Sequence, residues 1–221
     1  MTTDETDRGA QRCPAYSGEP VPRAVLRDAF DKARQAPCWR TLKGWRIWVM
    51  EGAALERYKE GLTRRLLEDT PASPELDAPD RAWPELCLAR TARLMAVHEE
   101  AAATAHLEGR REEKLARLGE LFGAPCLMIY GLDCHAAGTQ GCFDSGPFVQ
   151  SMCEAARQEG LDTCVMATAV RYPDLLHAVL PDQDGELFVV GIALGYPEAG
   201  VTVARYASEL PRFDDVVTWV A

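Results

Sequence analysis

The chain has 221 residues, of which 47% are hydrophobic and 26% charged, enough apolar content for one domain to bury a real core. Its formal net charge of −10 argues against nucleic acid or an anionic membrane surface as the main partner. No apolar run reaches the length of a membrane span, and the opening MTTDETDRGAQR lacks the basic-then-apolar order of a signal peptide. A cytoplasmic setting is expected. The eight cysteines are scattered, several of them in apolar runs, and no CxxC occurs, so reduced thiols are expected rather than a disulfide framework.

In chain order, residues 1–20 read as an extended arm with Arg8, Arg12, Pro14, Gly18 and Pro20. Pro22 to Gln35 has helical periodicity, with Ala24, Val25, Ala29, Phe30 and Ala33 on one face. APCWRTLKGWR is a loop of tryptophans and cations; it leads to a short strand, Arg46 to Met50, and a helix over Gly52 to Leu66. Residues 70–84 hold four prolines and form a loop. From Glu85 to Leu121 the pattern is helical, with a break expected near Gly109. Pro125 to Gly131 is a buried strand.

The segment Asp144–Ala169 is the centre of the chain. Asp144 or Ser145 is expected to cap a helix with Pro147 in its first turn. Phe148, Val149, Met152, Cys153, Ala155 and Ala156 give it a face too broad for a surface helix, and Gly160 is placed to end it. The exit Leu161–Ala169 is small and apolar, so a flat ligand can approach its main chain. Tyr172 to Leu180 reads as a helix and Leu187 to Leu194 as the strongest strand. The class is α+β. The arm and the apolar tail VVTWV both suit packing against a second copy.

Familiar chemical motifs are absent. There is no Gly-x-Ser-x-Gly, P-loop or Gly-x-Gly-x-x-Gly, and His98 and His106 lack zinc-helix spacing. Asp133-Cys134-His135, with Cys142 and Asp144, gathers soft and hard ligands in one loop but without a standard spacing, so no metal is assigned.

Several stretches together resemble the FMN-dependent nitroreductase family over nearly the whole chain. They are Arg8 to Arg12 followed by Pro20-Val21-Pro22, and Ala36-Pro37-Cys38-Trp39-Arg40-Thr41 running into Trp45. Further along come Phe122-Gly123-Ala124-Pro125, Asp144-Ser145-Gly146 with Gln150, Gly160-Leu161-Asp162-Thr163, and Leu194-Gly195-Tyr196-Pro197.

The resemblance implies a single nitroreductase-like domain with a mainly antiparallel sheet surrounded by helices. It implies an intertwined homodimer in which 196–221 packs on the partner and 85–121 lies on the substrate side. FMN would sit at the interface, with NAD(P)H as donor in a ping-pong cycle. A nitroaromatic, quinone or related small molecule would be the acceptor. By position, Arg8 and Arg212 would hold the FMN phosphate and Arg12 would lie near N1 and the C2 carbonyl. Ala10, Pro37, Cys38, Trp39, Thr41 and Gln150 would line the cofactor, and the main chain of Val165, Met166, Ala167 and Thr168 would face its ring.

The family's Ser-Ser-x-Asn is replaced here by Cys38-Trp39-Arg40-Thr41, and its arm serine by Ala10. Cys38 reads as a stand-in for serine in a tight turn, with a redox-active thiol as the alternative. Other functions left open are a flavin-dependent dehydrogenase or dehalogenase of a biosynthetic pathway and a non-catalytic flavin-binding protein.

Overall fold

The computed structural model describes residues 15–38, 44–76, 111–199 and 217–220, with residues 85, 87–89, 91, 92, 96 and 213. The chain divides into two compact units: residues 1–78 with 111–203, and residues 79–110 with 204–221.

In the first unit the elements run α1 (Arg23–Ala33), β1 (Trp45–Glu51), α2 (Gly52–Leu67), α3 (Arg111–Gly119), β2 (Cys126–Asp133), α4 (Thr139–Gln158), β3 (Asp162–Met166), α5 (Pro173–His177) and β4 (Glu186–Gly195). The strands form one sheet in the order β1-β2-β4-β3, and every neighbouring pair is antiparallel. The fold is therefore α+β with an antiparallel sheet, as expected.

Helices cover both faces because the central strands are apolar on both sides. In β2, Leu127 and Ile129 join a core with Leu55, Tyr58, Leu62 and Leu66 of α2. Cys126, Met128, Tyr130 and Leu132 join a second core with Leu26, Ala29 and Ala33 of α1 and Phe148, Met152 and Ala156 of α4. This is the alternation of a strand buried on both sides. The register shifts between Tyr130 and Gly131, leaving Val189 as the extra residue of a bulge. The bulge sends Phe188 to the α2 core while Val190 packs against the other. Glu75 Oε2 accepts the Phe188 N–H at 2.7 Å.

The helix of the central segment begins earlier than Asp144 or Ser145. It starts at Thr139 and takes Pro147 into its interior. Ser145, expected as a cap, instead donates its hydroxyl to Gly141 O at 2.8 Å. Proline costs the helix one hydrogen bond, to the carbonyl of Phe143, and Phe143 is 74% exposed, so water can replace it. Gly160 ends the helix as expected, at φ 81°. The Leu161 N–H reaches Ala156 O at 3.0 Å and the Gly160 N–H reaches Arg157 O at 3.1 Å, the paired closure of a left-handed helix end.

The exit segment is more ordered than its small residues suggest. Asp162–Met166 pairs with β4 as edge strand β3, and Ala167–Val170 then forms a 3-10 turn. That turn lies so close to the sheet that a Cβ on Gly191 would stand 2.4 Å from Ala169 Cβ. The expected helix over Tyr172 to Leu180 is shorter, ending at His177.

The long helical pattern falls into two units. Its described residues between 85 and 96 are helical and belong to the second unit, Arg111–Gly119 belongs to the first, and the break expected near Gly109 lies outside the described residues. Within the second unit, Phe213 and Trp219 pack with ring centroids 6.2 Å apart. Among the described residues no helix is long and apolar enough to cross a membrane.

Replacing Gly191 by alanine should lower the stability of the protein by about 1–3 kcal/mol, because neither the sheet nor the 3-10 turn can yield cheaply. Urea denaturation checks this, and an unchanged midpoint would show that the contact is not tight.

Candidate functional site

Two groups of expected site residues lie within the described structure. The first is the exit of β3. Met166 is buried and Val165 half-buried, whereas Ala167 is exposed and Thr168 half-buried. The main chain here is reachable from solvent past no more than a methyl group at Ala167.

The turn is held rigidly from behind. The Tyr58 hydroxyl, on α2, donates to Ala169 O at 2.7 Å. Burial pushes the Tyr58 pKa up, so the hydroxyl stays a donor throughout the neutral range. Just beyond, the guanidinium groups of Arg65 and Arg171 lie 5.4 and 5.6 Å from the Tyr172 ring centroid. The Tyr172 hydroxyl donates to Thr70 O at 2.8 Å. Tyr58 and Gly191 are positioning residues that the sequence did not reveal. A tyrosine on an apolar helix face reads as core, and nothing local marks the glycine opposite the turn.

The second group surrounds the loop before β1. Pro37 is exposed and Cys38 half-buried, and Gln150 is exposed on α4. Behind them is an aromatic cluster. Trp45 stands 4.9 Å from Phe148 and 5.8 Å from Phe30, and Tyr130 stands 5.3 Å from Phe148.

The Tyr130 hydroxyl is buried beside Ser145, whose own proton goes to Gly141, and it has no partner of good geometry among the described residues. Burial pushes its pKa up to about 12, against an opposing effect of Ser145 and with smaller increments from Asp144, Cys38 and Cys142. Cys38 thus approaches the sheet on its α1/α4 face.

The first group reaches both faces of the sheet: Met166, Ala169 and Val170 pack with the α2 core, and Val165 packs against the α1/α4 core that holds Tyr130 and Phe148. Arg8, Ala10, Arg12, Trp39, Thr41 and Arg212 lie outside the described residues.

Buried cysteines are unreactive packing groups. Burial pushes Cys126 up to about 12, helped by the Glu51 charge, and raises Cys153 despite a hydrogen bond with Thr163. Cys164 is 5% exposed, in line with a packing role. None of the described cysteines forms a disulfide.

Along the outer edge of β1 runs a groove of about 540 Å³. Leu26, Phe30, Ile47, Val49 and Met128 supply its apolar lining, and Arg23, Arg27 and Arg46 its cations.

A sequence model of the Nitroreductase family matches residues 7–196. The chain belongs to the nitroreductase family. Among characterised relatives, a chloronitrobenzene nitroreductase of Comamonas testosteroni is 24% identical over 97% of this chain and 94% of its own length. A 4-nitrobenzoate reductase of Pseudomonas putida is 26% identical over 86% of this chain and 82% of its own. Among solved structures, the FMN and NADPH-dependent nitroreductase NfnB from sphigopyxis sp. strain HMH superposes with a TM-score of 0.82 at 22% identity, covering 96% of each chain. The FMN-dependent NfnB of Mycobacterium smegmatis, solved in complex with NADPH, gives 0.80 at 20% identity, covering 96% of this chain and 95% of its own. At these identities the superpositions establish the fold.

Two predictions concern the tyrosines. Tyr58→Phe leaves Ala169 O without its donor and should cost about 1–3 kcal/mol in denaturant unfolding. Stability should also fall at alkaline pH. Tyrosines of the unfolded chain ionise near their ordinary value of about 10, whereas folded Tyr130 holds its proton to about 12. The contribution is therefore complete below the lower value and lost as pH rises through the window. Thermal melts of wild type and Tyr130→Phe across that range should show a shallower decline in the variant.

Proposed function

We propose that this chain is an FMN-dependent oxidoreductase that draws on NAD(P)H to reduce an electron-poor small molecule, a nitroaromatic or a quinone. The observation that carries this reading is the exit of β3. Its main chain is exposed past Ala167 and fixed from behind by Tyr58 and Gly191, which fits a flat, rigid ring. It is supported by the relatives, whose names specify nitroaromatic reduction, and by solved neighbours described as FMN- and NADPH-dependent. FMN held there would supply hydride transfer between NAD(P)H and the acceptor.

The protein's part is to bind, orient and tune. Arg8 and Arg212 are assigned to the phosphate, which a guanidinium can hold through a bidentate fork. Arg12 is assigned to the N1 and C2-carbonyl edge, where a fixed cation favours negative charge on the ring. The main chain of Val165 to Thr168 would face the ring, and Ala10, Pro37, Cys38, Trp39, Thr41 and Gln150 would complete the pocket. Hydroxyl-poor residues at Ala10 and Cys38 make this side less polar than the family pattern.

The homodimer belongs to the same reading. In it, Cys38 and Ala167 of one site come from different copies, since the Ala167–Val170 turn packs with the α2 core and Tyr130, behind the Pro37–Cys38 loop, with the α1/α4 core. The tail fits the same assembly. Its acidic pair Asp214-Asp215 and apolar VVTWV are assigned to packing on the second copy. Scattered cysteines, free wherever they are described, suit a cytoplasmic setting.

Purified protein reconstituted with FMN should be yellow and should oxidise NADPH rapidly with a nitroaromatic acceptor; a colourless product would overturn the reading. Sluggish reduction of bound flavin would instead mark a dehydrogenase of the same fold. Arg12→Ala should reduce turnover more than FMN affinity, and Arg8→Ala the reverse.

A mixing experiment tests the shared site. Cys38→Trp and Ala167→Trp should each abolish flavin binding alone, yet co-expression should restore roughly a quarter of wild-type flavin, since half the dimers carry one intact site. No recovery would place each site within one chain.

A further inference from the structure

We propose that the turn Asp133-Cys134-His135 binds a divalent transition-metal ion of the zinc class, through three protein ligands and one position open to solvent. In an extended strand three consecutive side chains alternate sides and could not share an ion. Here β2 ends at Asp133 and the chain turns, bringing one ligand atom of each residue within 4.8 Å of the others. His135 Nδ1 stands 3.4 Å from Cys134 Sγ and 3.2 Å from Asp133 Oδ1.

These separations match an ion's requirements. With bonds of about 2.3 Å to sulfur and about 2.0–2.2 Å to nitrogen and oxygen, a tetrahedral ion sets nitrogen roughly 3.5 Å from sulfur and roughly 3.4 Å from oxygen. Both separations from Nδ1 lie close to these values. A thiolate, an imidazole and a carboxylate together suit zinc or cobalt better than magnesium or calcium.

The geometry also discriminates against a nucleophile relay. Such a relay places the thiol on one imidazole nitrogen and the carboxylate on the other. Both contacts here fall on Nδ1, so the donors converge on one point.

Main-chain hydrogen bonds hold the turn in place. Asp133 Oδ1 accepts the His135 backbone N–H at 2.8 Å, a bond that also holds the carboxyl below its usual range. Asp133 N–H donates to Gly44 O at 2.9 Å, Cys134 N–H to Gly185 O at 2.7 Å and Ala136 N–H to Asp133 O at 2.8 Å. The turn is thereby pinned to the chain entering β1 and to the chain entering β4. All three side chains are exposed, so the site is open to ions in solution. It uses none of the residues assigned to the flavin and stands independently of that reading.

The test is zinc titration of the full-length protein against a chromophoric chelator. Wild type should take up one ion per chain at micromolar free zinc. Cys134→Ser and His135→Ala should each weaken binding by at least about tenfold. Cys142→Ser, which removes another exposed thiol of the same region, should leave binding unchanged. Cobalt should give a thiolate charge-transfer band that Cys134→Ser abolishes, and zinc should protect Cys134 of the wild type from alkylation, read by peptide mass mapping. Failure of wild type to bind, unchanged binding in both ligand variants, or an unprotected Cys134 would each overturn the proposal.

Discussion

The pairing of β2 with β4 is the constraint on which the rest of the structure depends. Both strands are buried between helices, where a main-chain donor or acceptor without a partner is costly. Each strand therefore has to satisfy the other. The single irregularity of this ladder confirms the rule, since the N–H of Phe188 at the bulge is met by Glu75. Once the pair is set, β1 and β3 can add only at its two outer edges. The crossover segments must then cover the two faces, α2 and α5 on one and α1 and α4 on the other.

That layering has a functional consequence. The layering leaves the described residues of the two expected site groups at the margins of the sheet, at the exit of edge strand β3, in the loop before edge strand β1 and on α4. The close fit of Ala169 over Gly191 and the Tyr58 bond make the first margin rigid. An aromatic cluster of Phe30, Trp45, Tyr130 and Phe148 supports the second.

Charge is distributed in the same sense. The chain is acidic as a whole, yet three arginines gather along the β1 groove. Arg23 pairs with Glu51 and Arg46 with Glu186, so part of that charge is already met within the chain. The Arg23–Glu51 pair is exposed and contributes little to stability.

The sequence by itself determined the class of fold, most of the elements and the family, because hydrophobic period, Gly160 and the Ala36–Thr41 and Asp144–Thr163 patterns are local properties of the chain. It misplaced the start of α4, since a cap-like Asp144-Ser145 and a proline outweigh, in local terms, the burial that carries the helix through them. Which sheet face each expected site residue occupies, and that Tyr58 and Gly191 hold the Ala167–Val170 turn, were decided only by tertiary structure. Those contacts join residues more than a hundred positions apart or depend on the register of two strands, and no local pattern encodes either.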